Sequence, residues 1–211
     1  MNHTGTVRLE TERLVLRRFT PDDARAMLGN WANDAEVTRF LTWPVHGSID
    51  VTAGVLEDWL AQYERPDFYQ WAIELRELGE PVGSISVVEL REATESAEIG
   101  YCIGRRWWRQ GFTSEALQAV IDHLFAEVGA LRVCAKHDTH NPNSGKVMRH
   151  CGMTYEGTLR QAARNNQGIC DVSVYSVLRH EWEEQGAYRS VCRSRNTVSM
   201  SSGVKATTSA F

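Results

Sequence analysis

Several features that would assign this chain to other classes of protein are missing from its sequence. No apolar run approaches the roughly 20 residues that a membrane span needs, and the polar start Met1–Thr6 is unlike a signal peptide. No Gly-x-Gly-x-x-Gly motif follows the first predicted strand, which disfavours a dinucleotide-binding Rossmann domain. The five cysteines are odd in number and scattered. They therefore favour reduced thiols in a cytoplasmic protein over a disulfide framework.

The chain also lacks a strong charge of either sign. Its net charge is -4 and its pI is near 6.0, which argues against nucleic acid as a general partner. His137 and His140 flank Asp138, but no cysteine or carboxylate cluster completes a metal site, so no metal is expected. The length of 211 residues suits one domain. We predict that domain over residues 1–182, followed by a mobile tail over 183–211 that is rich in Ser, Thr and Arg.

Apolar periodicity and turn residues predict an alternation of strands and helices. Strands are predicted over residues 14–19, 69–75, 82–88, 97–103, 131–136, 153–159 and 171–178, and helices after Thr20-Pro21 to about residue 29, over 48–63, after Gly111 and over 143–151. The three central strands have short connections, which indicates an antiparallel meander. The strand, helix and strand that follow are typical of a parallel crossover unit. A polar loop that contains residues 165–168 is predicted between the last two strands.

The stretch from Arg106 to Ala116 is the most informative part of the sequence. It follows an apolar run, residues 99–103, and precedes an amphipathic run, residues 117–128. A strand, a tight turn containing Gly111 and the start of a helix therefore succeed one another directly. The unpaired N–H groups of that helix start are suited to holding a pyrophosphate.

Three segments in this order resemble the GNAT superfamily of N-acetyltransferases, and most of all its RimJ/RimL-like branch, which acetylates ribosomal-protein N-termini. They are residues 98–101 running into 107–116, residues 141–148 followed by 151–153, and residues 171–176. The superfamily pattern Gln/Arg-x-x-Gly-x-Gly/Ala is altered here. Trp108 stands at its first position and Thr113 at its last, and Arg109 stands where the branch often has glycine.

The resemblance implies an α+β fold with α/β/α layers. Its centre would be a mostly antiparallel, seven-stranded mixed sheet flanked by helices, with one splayed parallel strand pair. It also implies acetyl-CoA as co-substrate, an amine acceptor (a protein N-terminus or a small molecule), a cytoplasmic location and a possible homodimer. The residues expected to contact acetyl-CoA lie on the strand, the turn and the two helix starts: Tyr101, Cys102, Ile103, Arg106, Arg109, Gln110, Gly111, Phe112, Thr113, Ser114, Asn141 and Ser144.

Direct transfer to an amine also needs acid–base groups and a polarised carbonyl. Glu98 lies where several members of the superfamily place a base; its alternative role is to bind a cationic substrate. Asp171 is the competing carboxylate, which either binds the amine or caps the preceding loop. Ser144 replaces the tyrosine that often protonates the thiolate, although serine is also an ordinary residue at a helix start.

A backbone N–H within residues 101–103 is expected to polarise the thioester carbonyl. Arg106 and Arg109 are expected either to contact phosphates or to be solvated surface charges. The missing tyrosine and the altered turn keep a second function open, namely a catalytically silent module that binds acyl-CoA or a scaffold.

Overall fold

The computed structural model describes residues 1–184 and 186. The predicted tail therefore lies almost entirely outside the described residues. Contacts divide the chain into two compact units, Met1–Val177 and Leu178–Phe211. In the second unit residues 179–184 are helical, and the Leu178 N–H donates to Glu181 Oε2 at 2.8 Å. None of the helices within the described residues has the length and apolar character that crossing a bilayer requires.

The first unit is built on a single mixed sheet of eight strands in the order β1-β2-β3-β4-β5-β6-β8-β7. The expected count of seven misses β1, whose two residues pair with β2 and are too few to show periodicity. The strands are β1 (Leu9–Glu10), β2 (Leu14–Arg17), β3 (Gln70–Leu75), β4 (Glu80–Arg91), β5 (Ser96–Ile103), β6 (Arg132–Asp138), β7 (Thr154–Asn165) and β8 (Gly168–Leu178).

The predicted meander and the predicted parallel unit are both confirmed. Strands β3, β4 and β5 are successive antiparallel neighbours, and β5 runs parallel to β6. A bulge in β4 shifts its register with β5 between Val87 and Glu89. It places Val88 against Gly100, where an added Cβ would lie 2.9 Å from Val88 Cγ1.

The helices begin largely where capping residues predict. They are α1 (Ala24–Met27), α2 (Ala35–Thr38), α3 (Ile49–Gln62), α4 (Phe112–His123) and α5 (Pro142–His150). The helix expected after Thr20 is a composite: a 3-10 turn Pro21–Asp23, then α1, then a π-helical stretch Leu28–Ala32. At its start the Thr20 N–H donates to the Asp23 carboxylate at 2.8 Å, which satisfies a donor that the backbone leaves free.

Helices cover both faces of the sheet. On one face the first helices pack over Ala72 of β3 and Cys102 of β5, around a core cluster that includes Phe19, Met27 and Trp31. On the other face α5 contacts α4, β6 and β7. Because successive strand residues point to opposite faces, Tyr101 faces α5 while Cys102 faces the first helices. This alternation decides which side of the sheet each candidate residue serves.

The last two strands form a longer hairpin than the sequence predicts. Strand β7 continues to Asn165 and β8 begins at Gly168, so a tight turn of two residues replaces the predicted polar loop. Most of β7 is exposed, and the exposed stretch is too polar to carry an alternating apolar signal. Pairing with β8, which is buried at Val172, Tyr175 and Val177, is what makes these residues a strand.

Candidate active site

The parallel strands β5 and β6 separate halfway along their length. Their pairing runs from Ser96 with Arg132 to Ile99 with Ala135. Strand β5 continues to pair on its other side with β4 as far as Ile103. A gap therefore opens in the sheet beside residues 100–103, at the place where the sequence predicted a splayed pair.

Two main-chain N–H groups of β5 point into this gap. The Gly104 N–H donates to the Val82 carbonyl at 2.8 Å, and in an antiparallel ladder alternate residues bond to the same neighbour. Cys102 therefore bonds to β4, whereas the N–H groups of Tyr101 and Ile103 face the side from which β6 has departed. The outward carbonyl of Ile103 is taken by the indole N–H of Trp108 at 2.9 Å. The gap thus presents donors, as the predicted polarising role within residues 101–103 requires.

The turn between β5 and α4 aims further donors outward. Gly111, at φ +81°, is the residue before α4, and Arg109 also adopts a left-handed conformation, at φ +62°. The Glu115 N–H makes the first helical bond, to the Gly111 carbonyl at 3.0 Å. The N–H groups of Phe112, Thr113 and Ser114 consequently have no acceptor within the helix and form an anion-binding end.

The side chains of the turn that are predicted to contact acetyl-CoA differ in exposure. Arg106 and Arg109 are exposed, and the Arg106 guanidinium lies 5.6 Å from the Trp107 ring centroid. Gln110 donates to the Arg106 carbonyl at 2.9 Å, which braces the turn. Phe112 is buried, so only its main chain is available to a ligand.

Thr11 and Arg13 bind Glu115 in a clamp that fixes the turn, and sequence reasoning missed this clamp. Glu115 Oε1 accepts from Thr11 Oγ1 at 2.6 Å and from the Arg13 N–H at 2.9 Å, and Arg13 Nε donates to Glu115 Oε2 at 2.7 Å. The same guanidinium donates to the Gln110 carbonyl at 3.0 Å and stacks over Phe112. Partners about a hundred residues apart leave no local signal in the sequence.

The clamp sets the protonation of Glu115. Partial burial acts to raise its pKa, but the hydrogen bonds from Thr11 and Arg13 outweigh that effect and hold the pKa below its usual range. Glu115 is therefore a charged residue in the first turn of α4, where its main role is to fix the turn in place.

Glu98 lies on the opposite face of β5 from Tyr101. It is opposite Cys134 of β6, one residue before the strands separate. Its Oε2 lies 2.6 Å from the Lys136 ammonium, with the glutamate side chain 15% exposed and the lysine 33%. The structure thus pairs the predicted base with a cation that sequence reasoning overlooked.

Tyr101 and Ser144 meet on the α5 face. Their hydroxyl oxygens are 2.9 Å apart, and the tyrosine O–H also lies 3.0 Å from the Ser144 carbonyl. Burial raises the pKa of Tyr101 well above its usual range, so the phenol stays protonated at neutral pH. A tyrosine does therefore stand beside the predicted acid, but it comes from β5 instead of α5. Asn141 is the residue before α5, and its carbonyl accepts from the Ser144 N–H at 3.2 Å.

Asp171 has a structural role in the hairpin. Its carboxylate accepts from the Gln161 N–H at 2.8 Å, and Gln161 is held at φ +49°. Its carbonyl accepts from the Thr139 N–H at 3.1 Å. Of the two readings that the sequence left open, these contacts match the loop-capping one.

The tip of the β7–β8 hairpin is fastened to distant parts of the fold. Asn166 Nδ2 donates to the carbonyls of Thr38 and Trp43, at 2.8 and 2.7 Å. Asn165 donates to the buried Asp138 carboxylate at 2.7 Å, which also pairs with His140. Asp138 is thus a structural anchor, and no group of three metal-ligating side chains occurs among residues 1–184 and 186.

The gap, the donor-rich helix start and the carboxylate define an acyltransferase site, and comparison with known proteins agrees. Residues 13–154 match the family described as the acetyltransferase (GNAT) domain. Since the match spans well over half of the chain, this protein belongs to the GNAT family of N-acetyltransferases.

Individual relatives are similar over part or most of the chain. The uncharacterized N-acetyltransferase YoaA of Bacillus subtilis is 35% identical over 171 residues, covering 81% of this chain and 96% of its own. The ribosomal-protein-serine acetyltransferase of Escherichia coli is 38% identical over 100 residues, or 47% of this chain and 55% of its own. A structure of RimL, a ribosomal L7/L12 α-N-protein acetyltransferase, in complex with coenzyme A shares the fold, with a TM-score of 0.73 at 24% identity over 82% of this chain and 98% of that one.

Proposed function

We propose that this protein transfers the acetyl group of acetyl-CoA directly to a primary amine, within a complex that holds both substrates. The observation that carries the proposal is the gap between β5 and β6, which joins the two faces of the sheet. Helix α4 begins on one side of it, and Glu98 lies on the other. An elongated thioester and an amine can therefore approach the same point from opposite faces.

The residues present fit acetyl-CoA. The N–H groups of residues 112–114, at the positive end of the α4 dipole, form a cradle for a pyrophosphate. Gly111 permits the turn that presents this cradle, because its conformation is strained for residues with a side chain and an added Cβ would lie 3.3 Å from Arg13 Nη2. Asn141, Arg106 and Arg109 are the side chains proposed to add polar contacts along the rest of the ligand. Acetyl-CoA supplies the activated acyl group.

The chain's own residues then account for each need of the reaction. Glu98 removes a proton from the acceptor ammonium, directly or through water. The outward N–H groups of Tyr101 and Ile103 stabilise the negative charge that develops on the carbonyl oxygen as the nitrogen attacks. The C–N bond forms, the C–S bond breaks, and the thiolate takes up the second proton, which the attacking nitrogen releases. Ser144, held by Tyr101, donates a hydrogen bond to that sulfur.

The acceptor that we propose is the N-terminal amine of a protein. The E. coli relative of 38% identity acetylates a ribosomal-protein serine by its name, and an N-terminal ammonium suits the carboxylate of Glu98. A small cationic amine is the other acceptor class, because this site recognises the ammonium through one carboxylate. A ribosomal-protein acceptor would place the reaction in the cytoplasm.

The deciding experiment measures release of free CoA from acetyl-CoA against a panel of N-terminal peptides and small amines. Release that depends on the acceptor supports the transferase and identifies the acceptor class. Binding of acetyl-CoA without release of free CoA across the panel favours the catalytically silent module. The pairing of Glu98 with Lys136 is compatible with that function, because it occupies the carboxylate proposed as the base. A lack of acetyl-CoA binding would contradict the proposal.

A further inference from the structure

The carboxylate proposed as the base is covered by an amine of the same chain. Lys136 Nζ lies 2.6 Å from Glu98 Oε2. Lys136 is the first residue of β6 beyond the last β5–β6 pair, Ile99 with Ala135. It lies two residues after Cys134, which is opposite Glu98, so both side chains emerge on the same face of the sheet. The ammonium is thus located where the gap opens.

The contact between them is electrostatic. Oε2 of Glu98 is buried, and the Lys136 ammonium is the group that faces it, at 2.6 Å. A buried carboxylate is costly unless an opposite charge compensates it. Lys136 therefore supplies Glu98 with the same kind of charge that a cationic acceptor carries.

The surroundings offer Lys136 a weaker second interaction. Glu89 lies opposite Glu98 in the β4–β5 ladder and feels the charge of Lys136. Its own carboxylate is held by Arg91 through bonds of 2.8 and 2.7 Å. Glu98 is consequently the main anionic partner of Lys136, and a competing cation at Glu98 would displace the lysine towards Glu89 and solvent.

Resting on the proposed function, we infer that the Lys136 ammonium occupies the place of the acceptor ammonium, and that an acceptor binds by displacing it. Lys136 is then a positioning residue. It pairs with the carboxylate while no acceptor is present, and it selects for acceptors that bring their own positive charge. The acceptor ammonium supplies the same compensating charge to Glu98, so the exchange leaves the carboxylate paired.

The test replaces the part of the side chain that Lys136→Ala removes, a propylammonium group, with free n-propylammonium. We expect n-propylammonium chloride to raise the Tm of the Lys136→Ala variant, but not that of the wild type, in the absence of acetyl-CoA. With acetyl-CoA, we expect n-propylamine to be acetylated with a kcat/KM about tenfold or more above that of the wild type, the gain typical of one charge-assisted hydrogen bond. Lys146→Ala is the matched control, because Lys146 is exposed and its ammonium bonds to Asn143 on its own helix.

Two further variants keep the inference open to refutation. Lys136→Met fills the same space without charge and should lower KM for the cationic acceptor with little change in kcat, while Lys136→Arg should behave like the wild type. If Lys136→Ala does not fold with or without n-propylammonium, the KM of Lys136→Met decides. An unchanged or raised KM overturns the inference.

Failure of the inference and failure of the proposed function are distinguishable. A Lys136→Ala variant whose Tm ignores n-propylammonium, and which gains no activity towards the amine, refutes the role of Lys136 even if the wild type acetylates its acceptor. A Tm that responds to the amine in a protein that never releases CoA supports the cation site and refutes the transferase.

Discussion

The hydroxyl oxygens of Tyr101 and Ser144 lie 2.9 Å apart although the residues are separated by 43 positions in the chain. Tyr101 comes from β5, at the edge of the gap, and Ser144 from the first turns of α5. Since burial keeps the phenol protonated, Tyr101 can hold Ser144 as a neutral hydrogen-bond partner. In the proposed reaction the serine hydroxyl is then the group that donates to the leaving sulfur.

This pairing predicts non-additive effects on catalysis. Tyr101→Phe and Ser144→Ala should each lower kcat about tenfold or more, as expected for removal of a transition-state hydrogen bond. The double variant should be little worse than either single variant, because both substitutions break the same unit. Steady-state kinetics of the four proteins form the cycle. Multiplicative losses in the double variant would show that the two hydroxyls act independently.

The proposed base gives a second prediction. Glu98→Gln retains the shape of the side chain but cannot accept a proton, so kcat/KM at neutral pH should fall at least about tenfold. Glu77→Gln is the control, because Glu77 is an exposed carboxylate in the turn between β3 and β4 and has no role in the proposed reaction. Equal rates for Glu98→Gln and the wild type would exclude Glu98 as the base.

The turn before α4 gives a prediction on stability. Gly111→Ala places a side chain at φ +81° and 3.3 Å from Arg13 Nη2, so the free energy of unfolding should fall by about 1–2 kcal/mol. The affinity for CoA should fall with it, since the substitution disturbs the anion cradle. Gly54→Ala is the matched control. Gly54 lies inside α3 with nothing within 4 Å of an added Cβ, and alanine there should stabilise the protein by about 0.5–1 kcal/mol.

Glu115 gives a prediction on the pH dependence of stability. Because its pKa is depressed in the folded protein, its contribution is complete above the unfolded pKa of about 4.3 and is lost as the pH falls through the folded value. Glu115→Gln should lower the free energy of unfolding by about 1 kcal/mol at pH 7. The difference from the wild type should shrink below about pH 4. Urea unfolding between pH 3 and 7 measures it.

Glu12→Gln is the control for that series, because Glu12 is an exposed carboxylate in the turn between β1 and β2, between the two partners of Glu115, Thr11 and Arg13. It should leave the pH profile unchanged. A constant difference between Glu115→Gln and the wild type across the whole range would mean that the clamp does not depend on the charge of Glu115.

Much of this architecture follows from local sequence, and the remainder does not for identifiable reasons. The meander, the crossover to β6 and the start of α4 at Gly111 are predictable because periodicity, short connections and glycine act over a few residues. The end of β7 is not, because an exposed residue such as Arg164 becomes part of a strand only by pairing with β8. The same holds for β1.

The candidate site also has a part that local sequence predicts and a part that it does not. The donors of residues 101–103 and 112–114 follow from a strand, a turn and a helix in sequence order. The contacts of Lys136 with Glu98, of Arg13 with Glu115 and of Tyr101 with Ser144 join segments that only the tertiary fold brings together. Contacts between side chains that are far apart along the chain are therefore the part of the site that a single sequence does not show.

The fastened hairpin tip provides the last prediction. Asn166→Ala removes both side-chain bonds, one to the last residue of α2 and one to the segment between α2 and α3, and should lower the free energy of unfolding by about 1–2 kcal/mol. Gln167→Ala is the control, since Gln167 uses its main-chain N–H, which the substitution retains, to bond Asn165. Chemical denaturation of both variants provides the measurement. Equal stabilities would show that the tip is held by other contacts.

The donors in the gap belong to the main chain, and this affects how such a site can change over evolutionary time. Any amino acid except proline supplies the same N–H group at positions 101 and 103, so their side chains can be replaced without removing a donor. What must be inherited is the path of the backbone. At Gly104 that path allows no side chain, because an added Cβ would collide with the Asn30 carbonyl and the Trp107 ring. Acceptor preference can then diverge by substitution of side chains while the main-chain donors stay in place.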